Sequence, residues 1–192
     1  MQYTILVIGI LICTSSPCVE AQKPRFGIKA GAAISNCTYN ASNTPSSVSK
    51  NKVGLLLGVM VHVPLSKNIA FRPGLDFVQK GFRSATQAYS DNYTLNYFDI
   101  PLNLLFYDRL HRGKIIFGGG PVISFRAGDY LDTYPLATTR SDIGLNILAG
   151  YEFPIGFFIN TNYTYGLKNV SADKTNSTIR NRYLGLNVGY LF

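Results

Sequence analysis

Few residues in this chain carry chemistry, and their spacing decides what they can do. There are two histidines, three cysteines and ten carboxylate side chains. His62 lies inside the run VGLLLGVMVHV, and His111 inside Arg109-Leu110-His111-Arg112-Gly113-Lys114. Neither stands with a serine, cysteine or carboxylate in a nucleophile–base motif. His62 therefore reads as a packed histidine, and His111 as part of a solvated basic turn that anionic lipid headgroups could approach. No cluster has the spacing of a metal site, so no metal or cofactor is expected. Gly118-Gly119-Gly120 lacks the Lys-Ser/Thr of a phosphate loop and reads as a strand whose small residues leave room for bulky neighbours. Asp99 and Glu152 could carry protons, but basic residues in the same phase point to structural pairing. The expectation is a protein without a catalytic site.

The elements that hold these residues are set by alternation. Eight runs alternate apolar and small or polar residues, the pattern of a two-faced β-strand. FGIKAGAAIS sets Phe26, Ile28 and Ile34 against Gly27, Lys29 and Ser35. VGLLLGVMVHV sets Val53, Leu55 and Leu57 against Gly54, Gly58 and His62. IAFRPGLDFVQKGF sets Phe71, Leu75 and Phe77 against Arg72, Asp76 and Lys80. LNYFDIPLNLLFY sets Phe98, Leu102 and Phe106 against Asp99 and Asn103. KIIFGGGPVISFRA, DIGLNILAGYEF, FFINTNYTYGL and RYLGLNVGYLF continue it, placing Arg126, Asp142, Glu152, Asn160, Asn162 and Asn187 on the polar side. The runs are close to the ~9–11 residues that a tilted membrane strand needs.

The connections read alternately long and short: CTYNASNTPSSVSKNK, PLSKN, SATQAYSDN, DRLHRG, GDYLDTYPLATTRS, PIG, KNVSADKTNST. That predicts an antiparallel up-and-down barrel of eight strands, short turns facing the periplasm and long loops facing outside. Volume decides which face is outward. The apolar faces supply roughly forty large side chains, and the interior of an eight-stranded barrel is barely wide enough for far fewer. The bulky residues should meet lipid. Lys29, Arg72, Asp76, Lys80, Asp99, Arg126, Asp142 and Glu152 should fill the lumen as a charge network, because an unpaired buried charge costs several kcal/mol. Such a plugged tube is not a wide porin. Function would then reside in the long loops, in adhesion, partner binding or assembly of an export complex. A narrow channel or small membrane enzyme is the alternative, and a soluble lipocalin-like ligand-binding barrel a further one.

Composition agrees. Charged residues are 15% of the 192, against about 25% in ordinary soluble proteins. Tyr and Phe are abundant and Trp is absent. Residues 1–21, with an apolar core at Ile5–Ile12 and Val19-Glu20-Ala21 before the break, read as a secretory signal peptide, or else a short anchor. That leaves 22–192 as the barrel domain, with Cys37 as its lone cysteine and no internal disulfide. The formal charge is +8, but the basic residues are scattered, which speaks against nucleic-acid binding. Asn-X-Ser/Thr sequences at Asn36, Asn40, Asn92, Asn162, Asn169 and Asn176 reflect asparagine-rich loops.

The last residues, NVGYLF, alternate to the end. Val188, Tyr190 and Phe192 are expected on the lipid face of the closing strand, as the C-terminal signal that barrel-insertion machinery recognises. Taken in order, FGIKAGAAISN, FRPGLDFVQKGF, LNYFDIPLNLLFY, GGGPVISF, SDIGLNILAGYEF, NYTYGLKNV and NRYLGLNVGYLF resemble the PorT-like outer-membrane β-barrel family common in Bacteroidota. Gln79-Lys80-Gly81 and Asp99-Ile100-Pro101 stand where that family carries Gln-Lys-Gly and an acidic residue before Ile-Pro. The resemblance implies an outer-membrane barrel with a secretion role for some members, and it supplies no catalytic residues.

Overall fold

The computed structural model of the protein describes residues 23–41, 49–85, 90–127, 140–168 and 177–192. The segment read as a signal peptide lies outside them, as do Cys13 and Cys18. Eight long strands follow one another: β1 Arg25–Ala41, β2 Lys52–Pro64, β3 Ile69–Ala85, β4 Ser90–Leu110, β5 Gly113–Arg126, β6 Ser141–Glu152, β7 Phe157–Gly166 and β8 Ser177–Leu191. A two-residue stretch, Ser49–Lys50, adds to β3 beside Arg83 and Ser84. Each long strand pairs antiparallel with its neighbours in sequence, and β1 pairs with β8 from Gly27–Leu191 to Ala41–Ser177. The sheet closes on itself, so no long strand is left with an unpaired edge.

The registers fix the shape. From Glu152 the pairs step to Phe158, Gly189, Lys29, Gly58, Asp76, Asp99, Ser124 and then Asp142. One circuit thus returns to β6 ten residues from where it left, at Asp142 instead of Glu152. A stagger of ten over eight strands tilts them roughly 40° from the barrel axis, taking ~3.3 Å per residue and ~4.8 Å between strands. The lipid-facing residues of β1 run from Phe26 to Ile34. At that tilt they span roughly 20 Å between end Cα atoms, comparable with the ~25 Å apolar band of such barrels once the side chains are included.

The alternation resolves as volume demanded. Ile147 is 65% exposed on the outer wall, and Leu145, Val188, Phe117 and Leu57 stand with it. Asp99 is fully buried inside, together with Arg72, Asp76, Lys80, Asn103 and Asn187. A soluble barrel with an apolar interior is overturned by this orientation. The lumen is more mixed than its glycines and charges foretold. Ala70, Leu105, Tyr107, Ile116 and Leu148 form one apolar cluster, Met60, Phe158 and Leu191 a second, and Ala33, Leu56, Val78 and Tyr183 a third.

Several segments read as connections are strand. β1 continues through Cys37–Ala41, β3 and β4 stay paired out to Ala85–Ser90, and β8 begins at Ser177. Residues 86–89 therefore form a connection no longer than 65–68, and the long–short alternation fails there. These stretches run into polar, asparagine- and serine-rich sequence, so hydropathy alone places the strand ends too early, while the backbone pairing goes on. At the other end, DRLHRG contracts to a two-residue turn, His111-Arg112, with His111 at φ 55°. The β6–β7 turn closes through Gly156, at φ 89°, whose carbonyl accepts from the Leu191 amide. The Phe192 amide donates to the Phe26 carbonyl at 2.8 Å and completes the β1–β8 seam.

Candidate functional site

The lumen is where this sequence concentrates unusual chemistry, and the circuit described above organises it. The four carboxylates Glu152, Asp76, Asp99 and Asp142 all lie on that one row of paired residues, climbing from the short-turn end toward the long-connection end. Each projects inward because it shares the phase of the small and polar residues on its strand. Asp76 and Asp99 are direct cross-strand neighbours. Two like charges so placed are destabilising unless each is neutralised.

The cations do this from two inward positions away or from across a glycine. Lys29 Nζ donates to Asp76 Oδ2 at 2.7 Å. It reaches over Gly58, which pairs with both residues and has no side chain to obstruct them. Lys80 Nζ donates to Asp99 Oδ1 at 2.8 Å and to Ser124 Oγ at 3.3 Å. Its ammonium sits 4.6 Å from the Tyr97 ring centre and 5.2 Å from that of Tyr183, a desolvated cation–π cage. The Tyr183 hydroxyl donates to Asp99 Oδ2 at 3.2 Å. Lys80 and Tyr183 thus neutralise and orient a fully buried carboxylate.

At the short-turn end the pairing runs the other way, with two guanidinium groups on one acid. Glu152 accepts from Arg25 Nη2 at 2.6 Å through Oε1 and lies 3.5 Å from Arg72 Nη2 through Oε2. Arg72 Nε also donates to His62 Nδ1 at 3.2 Å, and its Cζ lies 5.7 Å from the Phe158 ring centre. A nitrogen that accepts from a guanidinium keeps its lone pair, so the geometry places the imidazole proton of His62 on Nε2. Arg25 lies outside the sequence-based set, whose first alternating run starts at Phe26. It shares the inward phase of Gly27 and Lys29, and extending the alternation one step would have found it.

Between these charged layers lies a band of amides. Asn146 Nδ2 donates to Asn103 Oδ1 at 2.9 Å, and Asn187 Nδ2 donates to Asn160 Oδ1 and Asn162 Oδ1 at 2.9 and 2.8 Å. Thr164 Oγ1 donates to Asn146 Oδ1 at 3.1 Å. The void left at this waist is about 20 Å³, lined by Lys29, Asp76, Asn103, Asn146, Asn162 and Tyr183 among others. That is close to the smallest space a single water needs.

The structure brings Lys29 to Asp76, Lys80 to Asp99, and Arg72 to Glu152. Asp142 faces inward and, among the described residues, joins no ion pair; its Oδ2 accepts from Asn181 Nδ2 at 3.4 Å. Arg126 faces inward at the end of β5, where its amide donates to the Arg140 carbonyl. Val188, Tyr190 and Phe192 stand on the outer wall, the last two rings 5.1 Å apart and edge to face. His111 is exposed in its turn. Among the described residues no three His, Cys, Asp or Glu side chains gather as metal ligands.

Known proteins share this architecture. Neisserial surface protein A (NspA) superposes with a TM-score of 0.51 at 15% identity, over 89% of this chain and 100% of that one. The outer membrane protein OprG from Pseudomonas aeruginosa superposes with a TM-score of 0.57 at 12% identity, over 91% and 99%. At such identities the likeness shows the fold. No curated protein sequence matches the chain significantly. Residues 20–172 match the family described as outer membrane protein beta-barrel domain. The chain therefore belongs to the outer membrane protein beta-barrel domain family, and its place is the bacterial outer membrane.

Proposed function

We propose that this protein is a non-enzymatic outer-membrane barrel that acts through its extracellular connections, in binding or adhesion or as a component of an export or assembly system. The observation that carries this reading is the closed waist. Among the described residues the waist, lined by asparagines, Lys29 and Asp76, holds a void of only about 20 Å³, room for about one water, whereas open porin channels need ~16–18 strands. The state of His62 supports it as well. Its Nδ1 is engaged by Arg72 and its ring is buried, a poor arrangement for a general base.

The PorT-like branch is the best reading of its kinship. The two motifs that carry the resemblance meet in space, Lys80 of Gln-Lys-Gly being bonded to Asp99 of Asp-Ile-Pro at 2.8 Å. We assign the alternating Val188, Tyr190 and Phe192 to recognition by the barrel-insertion machinery. Residues 1–21 fit an export signal removed before assembly.

Planar-bilayer recording of the refolded barrel tests the reading. It predicts no stable unit conductance, with binding to surfaces or partners abolished by shortening the connections at 42–48 and 128–139. A steady open channel, or binding indifferent to those deletions, would contradict it.

A further inference from the structure

The three short turns at one end of the barrel differ sharply in charge. The β6–β7 turn, Phe153-Pro154-Ile155-Gly156, carries none. The β2–β3 turn carries Lys67, and the β4–β5 turn carries Arg109, His111, Arg112 and Lys114 at and beside its tip. The two charged turns are neighbours in space. The Tyr107 amide donates to the Asn68 carbonyl at 2.9 Å, Asn68 Nδ2 donates to the Tyr107 carbonyl at 3.0 Å, and the Tyr107 hydroxyl donates to the Ser66 carbonyl at 3.0 Å. The β2–β3 turn is thereby fastened to the base of β4, just where that strand runs on into Asp108 and Arg109. Arg109 in turn pairs with Lys114.

The balance of these two turns is positive. Lys67, Arg109 and Arg112 are exposed, and among the described residues none of them joins an ion pair. Lys114 is half-buried, its ammonium 5.0 Å from the Tyr107 ring centre. The acids on or beside these turns are Asp108 and Glu152. Asp108 is exposed, and its Oδ1 accepts from the Arg109 amide at 2.8 Å. Glu152 lies opposite Lys114 in the ladder and already holds Arg25 and Arg72. Four cations thus stand against one exposed carboxylate. The other exposed cation described at this end, Lys23, precedes β1.

The charged turns run without a break into the lipid-facing wall. Ile115 is exposed opposite Asp108, and Phe106 and Phe117 are cross-strand partners with ring centres 5.6 Å apart. Leu65 and Leu110 are exposed within the turns themselves. A soluble anion would use the cations and leave these apolar residues uncovered. A molecule with an anionic head and hydrocarbon tails matches both parts.

We propose that the β2–β3 and β4–β5 turns form a docking surface for the phosphate headgroup of an anionic phospholipid in the leaflet at the short-turn end, its acyl chains lying along Phe106, Ile115 and Phe117. This surface lies at the opposite end of the barrel from the connections proposed above to bind partners, and it does not depend on that role.

The test is lipid selectivity, read by electron spin resonance on the refolded barrel in phosphatidylcholine vesicles. Trace spin-labelled phosphatidylglycerol or phosphatidylcholine is added, and the motionally restricted fraction of each gives their relative association. Phosphatidylglycerol is expected to be favoured roughly threefold at low salt, the preference falling toward unity in about 1 M sodium chloride. Lys67→Gln, Arg109→Gln and Arg112→Gln combined should bring the low-salt ratio near one, whereas Ile155→Gln in the uncharged turn should leave it unchanged. A heat-shift gel verifies that each variant is folded. Should the triple variant fail to fold, Lys67→Gln alone should lower the ratio, and an unchanged ratio overturns the site. Equal association of the two lipids with the wild type, a preference that the triple variant retains, or an equal loss in Ile155→Gln would overturn the proposal. So would loss of the preference on adding inorganic phosphate or an acidic peptide at constant ionic strength, which would assign the turns to a soluble anion.

Discussion

Lys29 reaches Asp76 across a glycine. The ammonium lies 2.7 Å from Oδ2, and Gly58 stands between the two in the ladder with nothing but hydrogen on its lumen face. A methyl group there would fall 2.1 Å from Asp76 Oδ1 and 2.8 Å from Lys29 Cε. Gly58→Ala should therefore separate a buried pair, not merely crowd it. We expect a loss of about 2–4 kcal/mol, read as an earlier midpoint of urea unfolding on a heat-shift gel. An unchanged midpoint would mean that the pair carries little of the stability of the barrel.

The Lys80–Asp99 pair makes a sharper prediction. Breaking a buried pair from one side strands the other charge and typically costs ~3–5 kcal/mol, whereas replacing both partners by apolar groups is often neutral. Asp99→Asn and Lys80→Met should each destabilise by that order. Lys80→Met combined with Asp99→Leu should recover most of the loss. The double-mutant cycle in urea decides it: additive losses would show that the pair is not coupled as its geometry implies.

The His111 turn should respond in the opposite direction. His111 holds φ 55°, a conformation that strains any residue with a Cβ by about 1–2 kcal/mol. His111→Gly relieves that strain and returns part of the gain as unfolded-chain entropy. The expected outcome is a slightly higher unfolding midpoint. A clear loss would show that the imidazole makes a stabilising contact of its own.

Phe192 separates folding from delivery. The Phe192 amide already closes the β1–β8 seam, and a serine there keeps that bond. Phe192→Ser should refold in detergent nearly as well as the wild type and yet reach the outer membrane poorly in cells. Equal cellular yields would remove the assembly role we assign to the C-terminal aromatics.

How far the sequence could be read follows from what each pattern encodes. Alternation gave the strands, and the bulk of Phe71, Leu102 and Leu145 forced them outward, because period and volume are both local quantities. The inward set of Lys29, Arg72, Asp76, Lys80, Asp99 and Glu152 could be named, but not who meets whom. Partnership depends on stagger: Glu152 lies 127 residues from Arg25, and only the closed register brings them to 2.6 Å. The apolar lumen clusters were missed for a related reason. Phe158, Leu105 and Ile116 sit beside lipid-facing neighbours of equal hydropathy, which blurs the alternation at those points. The strand extensions Cys37–Ala41 and Arg83–Ala85 adjoin polar stretches of sequence that read as connections, and only their backbone pairing marks them as sheet.

The orientation of the wall is the claim on which the rest depends, and β6 tests it most directly. With Cys37 replaced, single cysteines at 142 to 147 would each carry a nitroxide label in a bilayer, and power saturation would compare oxygen, which concentrates in lipid, with a water-soluble nickel chelate. The structure predicts strong oxygen accessibility at Ile143, Leu145 and Ile147, and low accessibility to both reagents at Asp142, Gly144 and Asn146. Oxygen accessibility following the even positions, or nickel accessibility along them as in a water-filled tube, would contradict a lipid-facing wall around a plugged lumen.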